Sequence, residues 1–243
     1  MPTRPAWCWR NRGVRAGEGD AERDGELGAA PALLAAMPLV GRVITGDALY
    51  CQGALCRQIR DAAGDYLLIV KANQPDLLWA VRTLFADPPP GEPFATTVVW
   101  DQHGDRVERR QLWASTALVG YLDWPGLRQA LRVERRCLRR GAWTREVRYA
   151  ITSLGPEVGT ATLLGYVRGH WAIENRLHWV RDVTFGEDAC RVRSGSAPQV
   201  LAALRNAVIA LLRGTGWTNI AAAVRHHAWH PGAALAALGL PSP

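Results

Sequence analysis

The chain has 243 residues, of which 48% are hydrophobic and 21% are charged, as in soluble globular proteins with one large domain or two small ones. No apolar run reaches the ~18 residues of a membrane-spanning helix, and the basic start lacks the apolar stretch of a secretory signal. We therefore expect a cytoplasmic protein with no membrane partner. Five cysteines without a CxxC pair argue against a disulfide framework or a zinc site.

The net charge of +7 is unevenly distributed. Residues 101–150 contain 11 basic and 6 acidic side chains, and Lys71 is the only lysine among the 29 basic residues of the sequence. A localised surplus of arginine favours binding to a polyanion such as a nucleic acid, because phosphates that are neutralised by arginine release their counterions and this release supplies affinity. A solvated basic surface explains the same charge equally well, so both interpretations stay open at this point.

The first half of the sequence predicts an α/β arrangement. Residues 1–30 lack both the 2-residue and the 3.6-residue apolar period and are expected to be poorly ordered. Strands and helices then alternate at the spacing of a parallel sheet with crossover helices. The predicted elements are a helix at 31–38, a strand at 43–44 that ends at Asp47, a helix at 51–63, a strand at 65–72 and a helix at 75–86.

After the proline-rich segment 87–93 the period changes to a strict alternation of apolar and polar residues. This pattern predicts antiparallel strands, which we expect to form a separate sheet inserted at about 93–155. Their predicted positions are 95–100, 109–115, 129–138 and 145–154. From residue 157 onward the pattern is helical, with a strong amphipathic helix at 197–214 and a helical tail at 215–243.

Two acidic residues stand out as candidates for chemistry. Asp47 lies where a strand ends, at the edge of an α/β sheet where ligands bind, although an aspartate there also suits a turn or a helix cap. Glu174 lies in a half-apolar helix, where His178 and Arg181 are spaced to share its side. The HExxH zinc pattern is absent, and a solvated helix face with an ion pair is the plain alternative.

Five segments of the sequence are more specific together than separately: TGDALYCQ, GDYLLIVKANQPDLL, DQHGDRVERRQLW, YAITSL and RGHWAIENRLHWVRDVTFGEDACRVRSGSAPQVLAALRNAVIALLR. They resemble the DDE transposases of ISAs-type bacterial insertion sequences, including H-repeat-associated proteins. The resemblance extends from about residue 26 to 214 and predicts a catalytic domain at 31–214. It implies an α/β fold with an RNase H-like mixed sheet, an antiparallel β insertion and a helical C-terminal part.

The resemblance implies DNA transposition by metal-dependent strand cleavage and transfer. It maps Asp47 and Glu174 onto the second and third acids of a triad that holds two cations, Mg²⁺ or Mn²⁺, beside the scissile phosphate. The implied partner is double-stranded DNA, both insertion-sequence ends and target, in a nucleoid-associated location, and a homodimer is compatible with it.

Further residues are assigned to DNA or phosphate contacts. Some follow from the resemblance: the KANQ turn, an HGR-type motif interrupted by Asp105, and the two residues that would orient the phosphate beside Glu174. Others come from the arginine-rich stretch 128–148, which is expected to bind duplex DNA. The set is Lys71, Asn73, Gln74, His103, Arg106, Arg128, Arg132, Arg135, Arg136, His178 and Arg181.

One departure from the family pattern concerns the first acid of the triad. In the family it lies on a strand well before the TGDA segment, whereas here only Asp20 and Asp24 precede Asp47 and neither lies in a strand-like run. We therefore expect a remnant truncated at its N-terminus, inactive with two of three carboxylates. The alternatives are a catalytically dead DNA-binding or interaction protein that competes with intact transposase, and an unstable pseudogene product.

Overall fold

The computed structural model describes residues 26–173 and 177–241, except for the side chains of Glu26, His103 and residues 171–173. The chain divides into two compact units, whose described parts are residues 26–170 and residues 171–173 with 177–241. No helix within the described ranges is long and apolar enough to cross a membrane. Residues 1–30 were expected to be poorly ordered. Residues 1–25 lie outside this description, whereas residues 26–30 belong to a helix, Glu26–Ala35, so the expectation is wrong for these five residues.

The larger unit contains three helices, six strands and most of a fourth helix among its described residues. A 3₁₀ turn, Ala48–Tyr50, follows the first strand. In chain order the elements are α1 (Glu26–Ala35), β1 (Val43–Gly46), α2 (Gly53–Asp61), β2 (Asp65–Val70), α3 (Pro75–Ala86), β3 (Ala95–His103), β4 (Arg106–Ser115), β5 (Gln129–Arg139), β6 (Ala142–Thr152) and α4 (Thr160–Ile173).

All six strands belong to one mixed sheet with the order β1-β2-β6-β5-β4-β3. β1 and β2 are parallel, and every other neighbouring pair is antiparallel. β6 pairs directly with β2, so that Val70 lies opposite Tyr149. The expectation of a separate antiparallel sheet is therefore wrong, because the inserted strands extend the sheet that β1 and β2 begin.

The two hairpins of the insertion are longer than the sequence pattern predicts. β3 continues to His103 and β4 starts at Arg106, with Gly104 (φ +60°) in the two-residue turn between them. The hairpin of β5 and β6 turns at Arg140 and Gly141, which both have positive φ (51° and 77°), as a type I′ turn requires. Polar residues near both turns interrupt the alternation of apolar and polar residues, so the sequence pattern does not show the ends of these strands.

The apolar core of the larger unit joins the helices to the sheet. Leu68 of β2 and Ile151 of β6 are almost completely buried and belong to one cluster with residues of α1, α2 and α3. α3 begins and ends where it was predicted, because Pro75 fits the first helical turn and Leu77, Val81 and Leu84 supply a buried stripe. This core fixes the position of the strand ends described below.

The smaller unit is helical. A π-helical turn, Val180–Thr184, precedes three helices, α5 (Ala197–Gly214), α6 (Ile220–Trp229) and α7 (Pro231–Ala237). α5 has the predicted bounds. Its described apolar core consists of Leu177, Val180, Ile209, Leu212, Ile220 and Ala223.

Candidate active site

Asp47 directly follows β1 and lies at the carboxyl end of the parallel strand pair. Its side chain is 54% exposed, and its Oδ1 accepts a hydrogen bond of 2.7 Å from the Ala48 backbone N–H. The aspartate therefore caps the turn after β1 and also presents a carboxylate to solvent. The preceding Gly46 leaves room for its neighbours, because a Cβ there would lie 2.9 Å from Cδ2 of Leu68 and 3.1 Å from Cβ of Tyr50, so that one of them would have to shift.

Lys71, the first residue after β2, is the charged partner of Asp47. Its Nζ lies 3.1 Å from Oδ1 and 3.3 Å from Oδ2 of the carboxylate. Partial burial would raise the pKa of Asp47, but the hydrogen bond from Ala48 and the Lys71 ammonium more than offset it, and the pKa lies below its ordinary value. Asp47 is thus ionised at neutral pH, the form that a divalent cation needs.

Asn73 and Gln74 hold the turn that carries Asp47. The Asn73 amide donates to the carbonyl of Ala48 over 2.7 Å, and the Gln74 amide donates to the carbonyl of Cys51 over 3.1 Å. Both side chains were predicted to contact DNA. That prediction stays untested, and the structure gives both amides a positioning role behind Asp47.

Glu174, the predicted third acid, lies outside the described residues, and so does the side chain of His103. His178 is exposed in the smaller unit. Arg181 forms an ion pair with Glu187 through its Nε over 2.6 Å. In the described ranges no three His, Cys, Asp or Glu side chains come together as a metal cluster, so the pairing of Asp47 with Glu174 stays a prediction.

Two buried glutamates organise the arginines of the insertion. The pentapeptide RVERR occurs twice, at 106–110 and at 132–136, and its central Glu108 and Glu134 are 4% and 3% exposed. Each glutamate binds the arginines two residues before and after it and one arginine of a neighbouring strand. These partners are Arg106, Arg110 and Arg135 for Glu108, and Arg132, Arg136 and Arg145 for Glu134.

The two clusters lie on opposite faces of the sheet. In the register of β4 and β5, Glu108 pairs with Cys137, and Glu134 pairs with Gln111, so the two glutamates point to different sides. Burial raises the pKa of each glutamate, but the arginines more than offset it and hold both pKa values below the usual range. Sequence reasoning missed both glutamates, although an acid flanked by arginines at ±2 in an alternating strand is a usable signal.

All four arginines predicted from the stretch 128–148 form ion pairs. Arg132, Arg135 and Arg136 bind the glutamates just described, and Arg128 lies 3.3 Å from Glu157 at the surface. Part of the positive charge of this stretch is therefore neutralised by glutamates of the same unit. The prediction that these residues bind DNA is not tested by this geometry.

The face of the sheet that carries Glu134 retains excess positive charge. Arg109, Arg136 and Arg145 lie side by side across β4, β5 and β6, and we call these three residues the arginine row. The side chains of Arg136 and Arg145 are 51% and 56% exposed. Like charges directly opposite each other destabilise a sheet. An anion bound beside the arginine row would reduce this repulsion.

The structure is an α/β protein whose mixed sheet has an ionised aspartate at the carboxyl ends of its parallel strands, the edge at which open α/β sheets usually bind ligands. Residues 20–212 match the model of the transposase DDE domain, and the chain belongs to this family. It is 33% identical over 202 residues to "Putative transposase YncI" of Escherichia coli O157:H7, covering 79% of this chain and 50% of that protein.

A second relative is "H repeat-associated putative transposase YhhI" of Escherichia coli K12, which is 29% identical over 202 residues, 79% of this chain and 52% of that protein. The chain spans about half the length of these curated relatives. The predicted family and the mixed α/β, RNase H-like fold class are thus confirmed.

Replacing Lys71 by methionine is expected to raise the pKa of Asp47, because the ammonium is one of the groups that hold the carboxylate in its ionised form. The pKa can be followed in a pH titration of the Asp47 carboxyl carbon by NMR. Arg82→Met is the matched control, since it removes a cation that lines the same cavity as Lys71 but lies over the ring of Tyr149. An Asp47 pKa that is unchanged without Lys71 would contradict this pairing.

Proposed function

We propose that this chain functions in DNA transposition, which its family performs by metal-dependent cleavage and transfer of DNA strands, and that Asp47 and Glu174 are the two catalytic acids it supplies. The observation that carries the proposal is the exposed, ionised Asp47 at the carboxyl end of the parallel strands, within the segment that matches the DDE domain. The assignment of Glu174 rests on the family resemblance of its surrounding sequence.

The one described carboxylate of this edge, that of Asp47, suits a hard divalent cation. Asp47 offers carboxylate oxygens, which Mg²⁺ and Mn²⁺ prefer, and more than half of its side chain is open to solvent. Asp47 and Glu174 would hold the ion, and the bound ion would supply Lewis-acid stabilisation of the phosphate and an activated oxygen nucleophile. Lys71 would then be free to contact a phosphate oxygen beside Asp47.

Double-stranded DNA is the proposed partner, and the arginine row is its proposed contact on the sheet. This face carries four arginines, Arg109, Arg132, Arg136 and Arg145, against the single acid Glu134. The opposite face balances its arginines more closely, with Asp101, Glu108 and Glu146 as acids. We therefore place the phosphate backbone of DNA on the face that carries Glu134, because the excess arginines of this face can neutralise its phosphates.

A polypeptide of these 243 residues is proposed to bind DNA without cleaving it. Two divalent cations held close together repel each other, and the family offsets this repulsion with three carboxylates. Asp20 and Asp24 are the only aspartates before Asp47, and neither lies in a strand-like sequence.

The test is a nicking assay on duplex DNA that carries the element's own ends, with Mn²⁺ present. The polypeptide is expected to shift the DNA at low salt and to leave it uncut. Cleavage that disappears in Glu174→Ala but persists in Asp188→Ala would show that the carboxylate set is complete and that the proposed inactivity is wrong. A polypeptide that fails to bind the duplex at low salt would contradict the DNA-directed function.

A further inference from the structure

β3 is the outermost strand of the sheet and offers a long free edge. It has nine residues and pairs with β4 over its whole length on one side only. In the described part of the chain, its outer edge has no backbone hydrogen-bond partner. The opposite edge strand, β1, has only four residues, so β3 is the edge with room for a stable pairing.

The sequence of β3 lacks the features that usually protect a free edge. Proteins blunt such edges with lysine, proline, bulges or inward charges, whereas residues 95–100 read ATTVVW and contain none of these. Val98 and Trp100 are 41% and 60% exposed. The first charge of the strand is Asp101, which is already paired with Arg110 and Arg168. This edge is thus suited to pairing with another strand.

We propose that β3 pairs with β3 of a second copy of this chain, antiparallel and about a two-fold axis at Val99. A strand that pairs with itself in this way buries the same patch on both copies. The register centred at Val99 uses all nine residues of the strand. The sheets of the two copies then form one continuous sheet, and the proposal does not depend on the transposase function.

The side chains of β3 are complementary to themselves in this register. Trp100 of each copy lies opposite Val98 of the other, an aromatic and β-branched pair of the kind that stabilises sheets. Asp101 lies opposite Thr97 of the second copy, so the two aspartates do not face each other. Both exposed apolar residues of the strand are covered by this one contact, which favours a second copy over an unrelated peptide.

Disulfide cross-linking tests the register. Val99→Cys is made in a chain whose Cys8, Cys137 and Cys190 are serine, because Cys51 and Cys56 are fully buried. Residues directly opposite each other have Cα atoms ~4.5–5.5 Å apart, within disulfide range, so this variant should form a covalent dimer under mild oxidation with diamide. Val98→Cys is the matched control, since its two copies would lie beyond ~7 Å and should not cross-link.

Sedimentation at increasing protein concentration tests the dimer without cross-linking. Val98→Lys should weaken dimerisation about tenfold or more, because an edge lysine opposes strand pairing, whereas Val200→Lys, at another exposed valine, should have no effect. Equal thermal melts of the two variants would show that both fold. A chain that stays monomeric at all concentrations, or one in which Val98→Cys cross-links instead of Val99→Cys, would overturn the proposal.

Discussion

Replacing Glu108 by alanine is expected to lower the free energy of unfolding by about 3 kcal/mol, because removing one partner of a buried ion pair leaves uncompensated charge. Glu108 is 4% exposed and binds Arg106, Arg110 and Arg135. Arg110 is itself well covered, with 17% of its side chain exposed. Urea unfolding followed by circular dichroism measures the change.

Glu146→Ala is the matched control for Glu108→Ala. Glu146 lies on the same face of the sheet and also pairs with Arg135, but its side chain is 40% exposed. Ion pairs of exposed residues contribute about 1 kcal/mol or less, so this variant should stay close to the unsubstituted protein. An equal decrease in the free energy of unfolding in the two variants would show that the burial of Glu108 does not strengthen its contribution to stability.

The protein is expected to lose stability in acid below about pH 4.5, the ordinary glutamate value. In the folded state the pKa values of Glu108 and Glu134 are depressed. Their contribution is therefore complete above the unfolded pKa and is lost as the pH falls through the folded pKa values. Each unit of depression corresponds to about 1.4 kcal/mol.

Urea unfolding between pH 6 and pH 3 checks this dependence. The double variant Glu108→Gln and Glu134→Gln cannot lose these two charges, so its stability, although lower at pH 6, should fall less between the two pH values. A double variant that follows the same pH profile as the unsubstituted protein would assign the acid loss to other carboxyls. Glu187, whose pKa is also depressed, is the next residue to examine.

The local elements could be read from the sequence where periodicity and end signals agree. α3 combines Pro75 at its start with buried residues at helical spacing, and α5 shows an amphipathic period over its full length. Which strands pair with each other could not be predicted in this way. β6 is adjacent to β2 although about 80 residues separate them in the chain, and alternation of apolar residues gives no information about such pairing.

The candidate site was predictable as a position but not as a set of contacts. The place of Asp47 at the end of β1 follows from an apolar strand that stops at Gly46 and Asp47. Its pairing with Lys71 depends on the parallel neighbour β2, and the roles of Asn73 and Gln74 depend on the turn that they support. Such contacts arise from the tertiary arrangement, which local sequence does not specify.

The most direct test of the central claim is the binding of Mn²⁺ to the 243-residue polypeptide, measured by electron paramagnetic resonance. If Asp47 and Glu174 share one cation, a bound ion should be detected, and it should be lost both in Asp47→Asn and in Glu174→Gln while Asp188→Asn retains it. Mn²⁺ binding that remains unchanged in both Asp47→Asn and Glu174→Gln would contradict the assignment of these two residues to one active site.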